Sequence, residues 1–334
     1  MKLLRGFQQV AALGLGSVAT IGNFDGVHQG HQALLALLRK EATRLQLPMV
    51  VLLFEPQPVE YFQGQQAPAR LFTLREKLQL LRQSGVDYVY CLKFDNQLAS
   101  MQAIEFAERF IFSRLKVAYL LVGEDFRFGQ GRVGDVALLA RLGVQKSCVV
   151  QTFPDFFIDE QRVSSTKIRA ALAKGCLLEA AKLLGRPYSL CGRVVMGSGL
   201  GRQWGIPTAN LKRHHLNLPL TGVFCVGVKR LGKPMLKGVA NIGCRPTING
   251  GKNRLEIHLF DTNESLYGEC LTIYFLHQLR DEIKFASVDL LIQQIHIDIA
   301  AAKEYSEKNT VVEMLRTLED SSPKATPKGM DTIA

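Results

Sequence analysis

From residue 17 to about residue 150 the chain alternates short β-branched runs with longer amphipathic stretches, and no other feature of the 334 residues constrains its fold so strongly. Strands separated by helical segments are the pattern of βαβ units, whose crossovers return the chain to a parallel sheet. Runs 18–22, 49–54, 88–92, 118–122 and 148–151 are the expected strands, each apolar enough to be covered on both faces. Segments 31–45, 74–83 and 103–114 repeat apolar residues three and four apart, as Leu34, Leu37, Leu38 and Leu45 do, and are expected to be helices. The first half is therefore an α/β module.

The texture then changes. A helical stretch at 177–184 ends at Gly185 with Pro187 just beyond, which is a helix stop. Downstream come short β-type runs, 190–196, 223–228, 238–242, 255–260 and 271–275, broken by Gly, Pro and Asn. These predict antiparallel strands closing a small barrel or sandwich, followed by a helix over 288–305. The boundaries expected are 1–185, 186–319 and an aperiodic tail, 320–334, too polar to pack and so expected to be disordered.

Composition narrows the function classes. With 47% hydrophobic and 21% charged residues, and no apolar run of spanning length, the chain reads as an ordinary soluble protein away from membranes. Its seven cysteines are scattered singly without a C-x-x-C pair, which suits a reducing cytoplasm better than a disulfide framework or zinc site. The net charge of +11 favours anionic partners, but Lys and Arg are spread along the chain and not gathered into one basic tract.

The first strand runs directly into Gly22-Asn23-Phe24-Asp25-Gly26-Val27-His28-Gln29-Gly30-His31 and then into a helix. Amides at a helix start carry positive partial charge, so such a turn can hold phosphate while Gly26 and Gly30 let the backbone approach it. His28 and His31, three residues apart, share a face and can donate to phosphates as charge builds during displacement. Ser164, Ser165 and Thr166 can cap a second helix start, with the Arg169 guanidinium on its first turn. A lone histidine or a lone capped helix would more often be structural; it is the combination that points to a nucleotide.

This decapeptide resembles the G-x-F-D-G-x-H-x-G-H signature of the nucleotidyltransferase superfamily, and specifically the adenylyltransferase module of bacterial bifunctional riboflavin kinase/FAD synthetases. Segments Phe54-Glu55-Pro56-Gln57-Pro58, Gly123-Glu124-Asp125-Phe126-Arg127-Phe128-Gly129 and Ser164-Ser165-Thr166-Lys167-Ile168-Arg169 fall where that family has similar stretches. The resemblance implies a Rossmann-like module that transfers AMP from ATP to FMN. It gives phosphate binding to Gly22, Asn23, Phe24, Asp25, Gly26, Gly30, Ser164, Ser165, Thr166 and Arg169, and transition-state contacts to His28 and His31. It gives flavin contacts to Pro56, Pro58, Asp125, Phe126 and Phe128.

A second constellation follows the boundary. Gly192 to Asn210 reads as a strand, a glycine-rich loop through Gly197, Gly199 and Gly201-Arg202, and the turn Pro207-Thr208-Ala209-Asn210, with no Gly-Lys-Ser/Thr ending of the classical phosphate loop. This segment looks like the flavokinase signature, which implies a β-barrel kinase module binding ATP at Gly197, Gly201, Arg202, Thr208 and Asn210. In the resemblance Thr208 and Asn210 also hold Mg2+, which selects oxygen ligands. Glu256, between Leu255 and Ile257 on an expected strand, matches the family's catalytic glutamate and should face away from both neighbours. Arg280 and the surrounding Leu279-Arg280-Asp281-Glu282 match a flavin-covering segment. The expected substrates and products are riboflavin, FMN, ATP, FAD and pyrophosphate. A class I synthetase sharing the histidine turn would need a tRNA-binding region and a second lysine-rich signature; a basic RNA-binding protein would need an aromatic strand motif or a dense basic stripe. Neither pattern is seen, so no nucleic-acid partner is expected.

Overall fold

The computed structural model describes residues 1–5, 14, 16–197, 199–212, 217–244, 253–262 and 264–308. Among the described residues the fold divides into two compact units: residues 1–68 with 74–163, and residues 69–73 with 164–308. The tail expected from residue 320 lies outside the described residues.

In the first unit the elements run β1 (Lys2–Arg5), β2 (Ser17–Ile21), α1 (Gln29–Leu45), β3 (Met49–Glu55), α2 (Pro58–Gln63), α3 (Leu74–Gln83) and β4 (Tyr88–Lys93). They continue through α4 (Asn96–Ala99), α5 (Ala103–Phe106), β5 (Val117–Gly123), α6 (Val136–Gln145), β6 (Val149–Phe153) and the small hairpin β7 (Phe157–Ile158) and β8 (Gln161–Arg162). α5 passes into a wider π-helical stretch, Ala107–Arg114, so the segment expected as one helix changes pitch midway. Six strands form one parallel sheet in the order β1-β4-β3-β2-β5-β6. Every residue of β2 is buried, Ser17 and Thr20 included, as are Met49 to Leu53 of β3, which is the doubly covered condition that mostly apolar runs encode.

Besides the short α2, α4, α9 and the β7–β8 hairpin, three further elements go beyond the sequence expectation. β1 is a four-residue edge strand whose pattern of one buried residue in four gives too short a signal. α6 does carry a start signal, since Asp135 accepts the Leu138 N–H at 2.9 Å, but Gly143 interrupts its apolar period. β10, described next, has only four residues.

The second unit begins with α7 (Ser165–Ala173) and α8 (Leu177–Leu184). There follow β9 (Ser189–Val195), α9 (Leu200–Gln203), β10 (Ala209–Lys212), β11 (Gly222–Lys229), β12 (Leu236–Cys244), β13 (Asn253–Leu259), β14 (Cys270–Arg280) and α10 (Val288–Lys308). The strands close an antiparallel barrel, β10-β13-β12-β11-β14-β9. Closure leaves no open edge for another chain to pair with. Ala302 of α10 and Ala181 of α8 are both fully buried in one apolar cluster with Val223, Cys225 and Leu276, so both helices pack on the barrel. Segment 69–73 also belongs to this unit: the Tyr188 hydroxyl donates to the Leu71 carbonyl at 3.1 Å, and Arg186 stacks over Phe72 at 5.1 Å. Burial pulls the Arg186 guanidinium down to about 10. Among the described residues no helix is long and apolar enough to cross a membrane.

Candidate active sites

In the parallel sheet the chain builds outward from β2 through β3 to β4, then returns to add β5 on the other side of β2. The order thus reverses between β2 and β5, and in open α/β sheets the ligand crevice forms at the carboxyl ends of strands flanking such a switch. Both candidate loops start there: residues 22–28 leave β2, and residues 124–135 leave β5.

The loop after β2 is tightly built. Phe24 and Val27 adopt φ of 47° and 40°, with Gly26 at 88°, so three of its residues are left-handed. Asp25 is buried, and Lys77 of α3, itself only 1% exposed, donates from Nζ to the Asn23 carbonyl. Nothing in the sequence singles out Lys77; it sits in an ordinary amphipathic helix, and only the fold carries it to this loop. His28 is the N-cap of α1 and accepts the His31 N–H at Nδ1, 3.3 Å away. A ring accepting at Nδ1 carries its proton on Nε2 when neutral. The rings of His28 and His31 stack at 3.7 Å and 13°, and Phe24 packs on His31 at 4.7 Å. At Gly30 an added Cβ would approach Phe156 at 3.3 Å and the His28 ring at 3.4 Å, so a side chain there would press on the stacked pair.

The remaining residues anticipated for adenylyl transfer are spread more widely. Pro56 opens the turn after β3, and Pro58 is the first residue of α2, capped by Gln57. Asp125 is exposed and pairs with Arg162 at 3.3 Å. Phe128 is buried; its ring lies 5.6 Å from Phe126 and 5.7 Å from Phe106, inside the apolar cluster under the sheet. Ser164 caps α7 by accepting the Lys167 N–H at 3.3 Å, with Ser165 and Thr166 on the first turn, while Arg169 Nε donates to the Ala69 carbonyl at 2.6 Å. This helix belongs to the barrel unit and not to the sheet unit.

The second site is more compact. A cavity of about 340 Å³ adjoins a larger one of about 610 Å³ on the outside of the barrel, sharing Arg202, Pro207, Thr208 and Tyr267 as lining. The larger cavity brings together Gly197, Gly201, Arg202, Thr208, Asn210, Glu256 and Arg280, all of them candidates from the sequence. Register explains the gathering. Leu255 and Ile257 are buried, so Glu256 between them faces outward. Across the ladders Glu256 stands opposite Asn210 on β10 and Asn241 on β12, and directly opposed residues share a face. Thr208 and Asn210, two apart, present a hydroxyl and an amide oxygen to that same face.

The glycine loop fits its neighbours closely. An added Cβ on Gly197 would lie 2.6 Å from Asn210 Cγ, and one on Gly201 would collide with the Ile206 carbonyl oxygen. The first clash can be relieved by moving a side chain; the second involves backbone. Gly197→Ala is therefore expected to leave the barrel folded but displace the Asn210 amide, lowering turnover at this site by about 10²-fold, the usual cost of an ångström-scale misplacement. Unchanged turnover in the folded variant would show that Asn210 is not held by this contact.

Arg280 is more deeply engaged than its sequence position suggests. Its Nε and Nη2 meet the Asp298 carboxylate at 2.9 Å and 2.7 Å, and Nη1 donates to the Asp281 carbonyl at 2.9 Å. Asp298 lies on α10, is 4% exposed and also accepts from Gln294, so the pair ties the end of β14 to the helix that walls the cavity. Asp298, Asn241 and His258 line the cavity without a role assigned to them from sequence. For His258 a signal existed, since it lies two residues past Glu256 on one strand and so on the same face. At the cavity rim, hydrogen bonds from Lys233 and Arg230 hold the Glu264 carboxyl down at about 2.

A parallel-sheet module with a histidine turn at its switch point, followed by a barrel carrying threonine, asparagine and glutamate in one cavity, defines a two-module nucleotide-using transferase. Residues 12–167 match the FAD synthetase family and residues 184–306 the riboflavin kinase family. The chain is 46% identical to the bifunctional riboflavin kinase/FMN adenylyltransferase of Haemophilus influenzae, over 91% of this chain and 99% of that one. It is equally 46% identical to the Escherichia coli K12 protein of the same name, over 91% and 98%. A solved structure described as a macrolide-efflux protein from Streptococcus pneumoniae superposes with a TM-score of 0.74 at 31% identity, covering 89% of this chain and 97% of that one. The chain belongs to the bifunctional riboflavin kinase/FMN adenylyltransferase family.

Proposed function

We infer that this chain makes FAD in two steps: the barrel module phosphorylates riboflavin to FMN with ATP, and the sheet module transfers AMP from ATP to FMN, releasing pyrophosphate. What supports the division of labour is that the two family matches fall in order along one chain, each on the site with the corresponding chemistry. ATP consumption and singly scattered cysteines support a cytoplasmic location.

In the first step the riboflavin 5′-hydroxyl oxygen attacks the γ-phosphorus of ATP, the bond to the ADP oxygen breaks, and Glu256 takes the hydroxyl proton. Thr208 and Asn210 orient the phosphates. Their two neutral oxygens beside a carboxylate are a donor set that suits Mg2+, which when bound would neutralise phosphate charge. Gly197, Gly201 and Arg202 line the phosphate side, and Arg280, latched to Asp298, shapes the flavin side. In the second step an FMN phosphate oxygen attacks the α-phosphorus and pyrophosphate leaves; an ionised phosphate needs no base. Donors do the work instead: His28, His31 and the amides of residues 22–30 stabilise charge on the α-phosphoryl and the leaving group. The capped start of α7, with Ser164, Ser165, Thr166 and Arg169, offers amides, hydroxyls and a guanidinium suited to phosphate. Pro56, Pro58, Asp125, Phe126 and Phe128 form the flavin side, with buried Phe128 supporting Phe126 from beneath.

The modules are expected to work separately, with the functional boundary at 185/186 inside the linker after α8. Because Ala181 packs into the barrel cluster, a fragment starting at Ser164 should melt higher than one starting at Leu184. Both should convert riboflavin to FMN and make no FAD. Folded fragments without kinase activity, beside an active full chain, would refute independent modules.

A further inference from the structure

β10 and β13 pair so that Ala209 faces Ile257 and Asn210 faces Glu256. One step further along the same antiparallel register, Thr208 comes opposite His258. His258 lines the cavity together with Thr208, Asn210 and Glu256, and its Nδ1 lies 2.9 Å from the Pro207 carbonyl oxygen. A carbonyl oxygen can only accept, so Nδ1 carries the proton and donates. Phe260 meets the imidazole edge-on at 5.9 Å and limits its swing.

This hydrogen bond falls where the backbone has little else to hold it. Pro207 has no N–H of its own, and the β10 ladder begins only at Ala209. The side chain from β13 therefore ties the residue before Thr208 to the strand that bears Glu256. We propose that His258 is a positioning residue for riboflavin phosphorylation: by holding the Pro207 carbonyl it fixes the Thr208 hydroxyl against the nucleotide phosphates, in register with Glu256. It touches no reacting atom in this role. The inference rests on the assignment of Thr208 to the nucleotide, made above.

Asn and Gln substitutions separate this role from general polarity, because an Asn amide nitrogen stands where Nδ1 does and a Gln amide nitrogen stands where Nε2 does. His258→Gln should weaken magnesium-ADP binding, measured by calorimetry, by about fivefold, the order expected for one lost hydrogen bond whose exposed carbonyl then turns to water. The KM for ATP should rise in proportion while the KM for riboflavin stays. His258→Asn should recover most of the affinity at a similar melting temperature. Equal affinities for the two variants, or a riboflavin KM that rises as much as that for ATP, would overturn the inference. Thr208→Ala run in parallel should bind magnesium-ADP weakly; wild-type affinity there would overturn the nucleotide assignment itself, and this inference with it.

Discussion

Glu256→Gln should lower riboflavin phosphorylation by about 10²–10⁴, the usual worth of a positioned general base, while flavin and nucleotide binding change little. The substitution keeps the shape and hydrogen-bonding reach of the side chain and removes its negative charge, and with it its ability to take a proton. Its place on β13, between buried Leu255 and Ile257, means that the barrel interior is untouched. Adenylylation of supplied FMN should be unaffected, since that chemistry belongs to the parallel-sheet module. Thr208→Ala should differ in kind, weakening nucleotide binding as well as turnover, because it deletes an oxygen ligand and not a base. If folded Glu256→Gln enzyme phosphorylates riboflavin within a few-fold of wild type, the carboxylate is only a strand-surface residue.

Replacing both His28 and His31 by Ala should reverse the pattern: FAD formation from FMN falls by about 10²-fold or more, the scale set by losing a single preorganised donor, and FMN formation from riboflavin persists. The stacked rings, 3.7 Å apart, are fixed to one another and to the helix start through the bond from the His31 N–H to His28. The double variant thus removes one unit, and the single variants should not add independently. A loss of FMN formation to the same extent would point to damage of the fold, and normal FAD synthesis by the folded double variant would exclude the histidine turn from the chemistry.

What could be read from the residues alone follows from which physical signals are local. Parallel strands buried on both faces leave mostly apolar runs, so β2 to β5 were legible to within a residue or two; β6, expected to be covered on both faces, is instead an edge strand with Val149 exposed, and the edge strand β1 and four-residue β10 leave almost no pattern. The alternation of Leu255, Glu256 and Ile257 placed Glu256 on the outer face before any barrel was known. Nothing local announces that β5 returns to the far side of β2, and so nothing local creates the switch point that groups the loops after those strands. The same holds for Lys77 reaching the Asn23 carbonyl and for Asp298 gripping Arg280: both are contacts between distant stretches, made by residues typical of helix surfaces. Arg280 shows the converse, a residue chosen by resemblance whose guanidinium proves to be engaged by Asp298 and the Asp281 carbonyl.

The most direct test of the account is a single time course: the full chain with riboflavin, ATP and Mg2+, followed by chromatographic separation of riboflavin, FMN and FAD. The account predicts that FMN appears first and then falls as FAD rises, with ADP formed in the first step and pyrophosphate in the second. Riboflavin left unchanged under these conditions, or FMN accumulating without FAD while supplied FMN also goes unused, would contradict it.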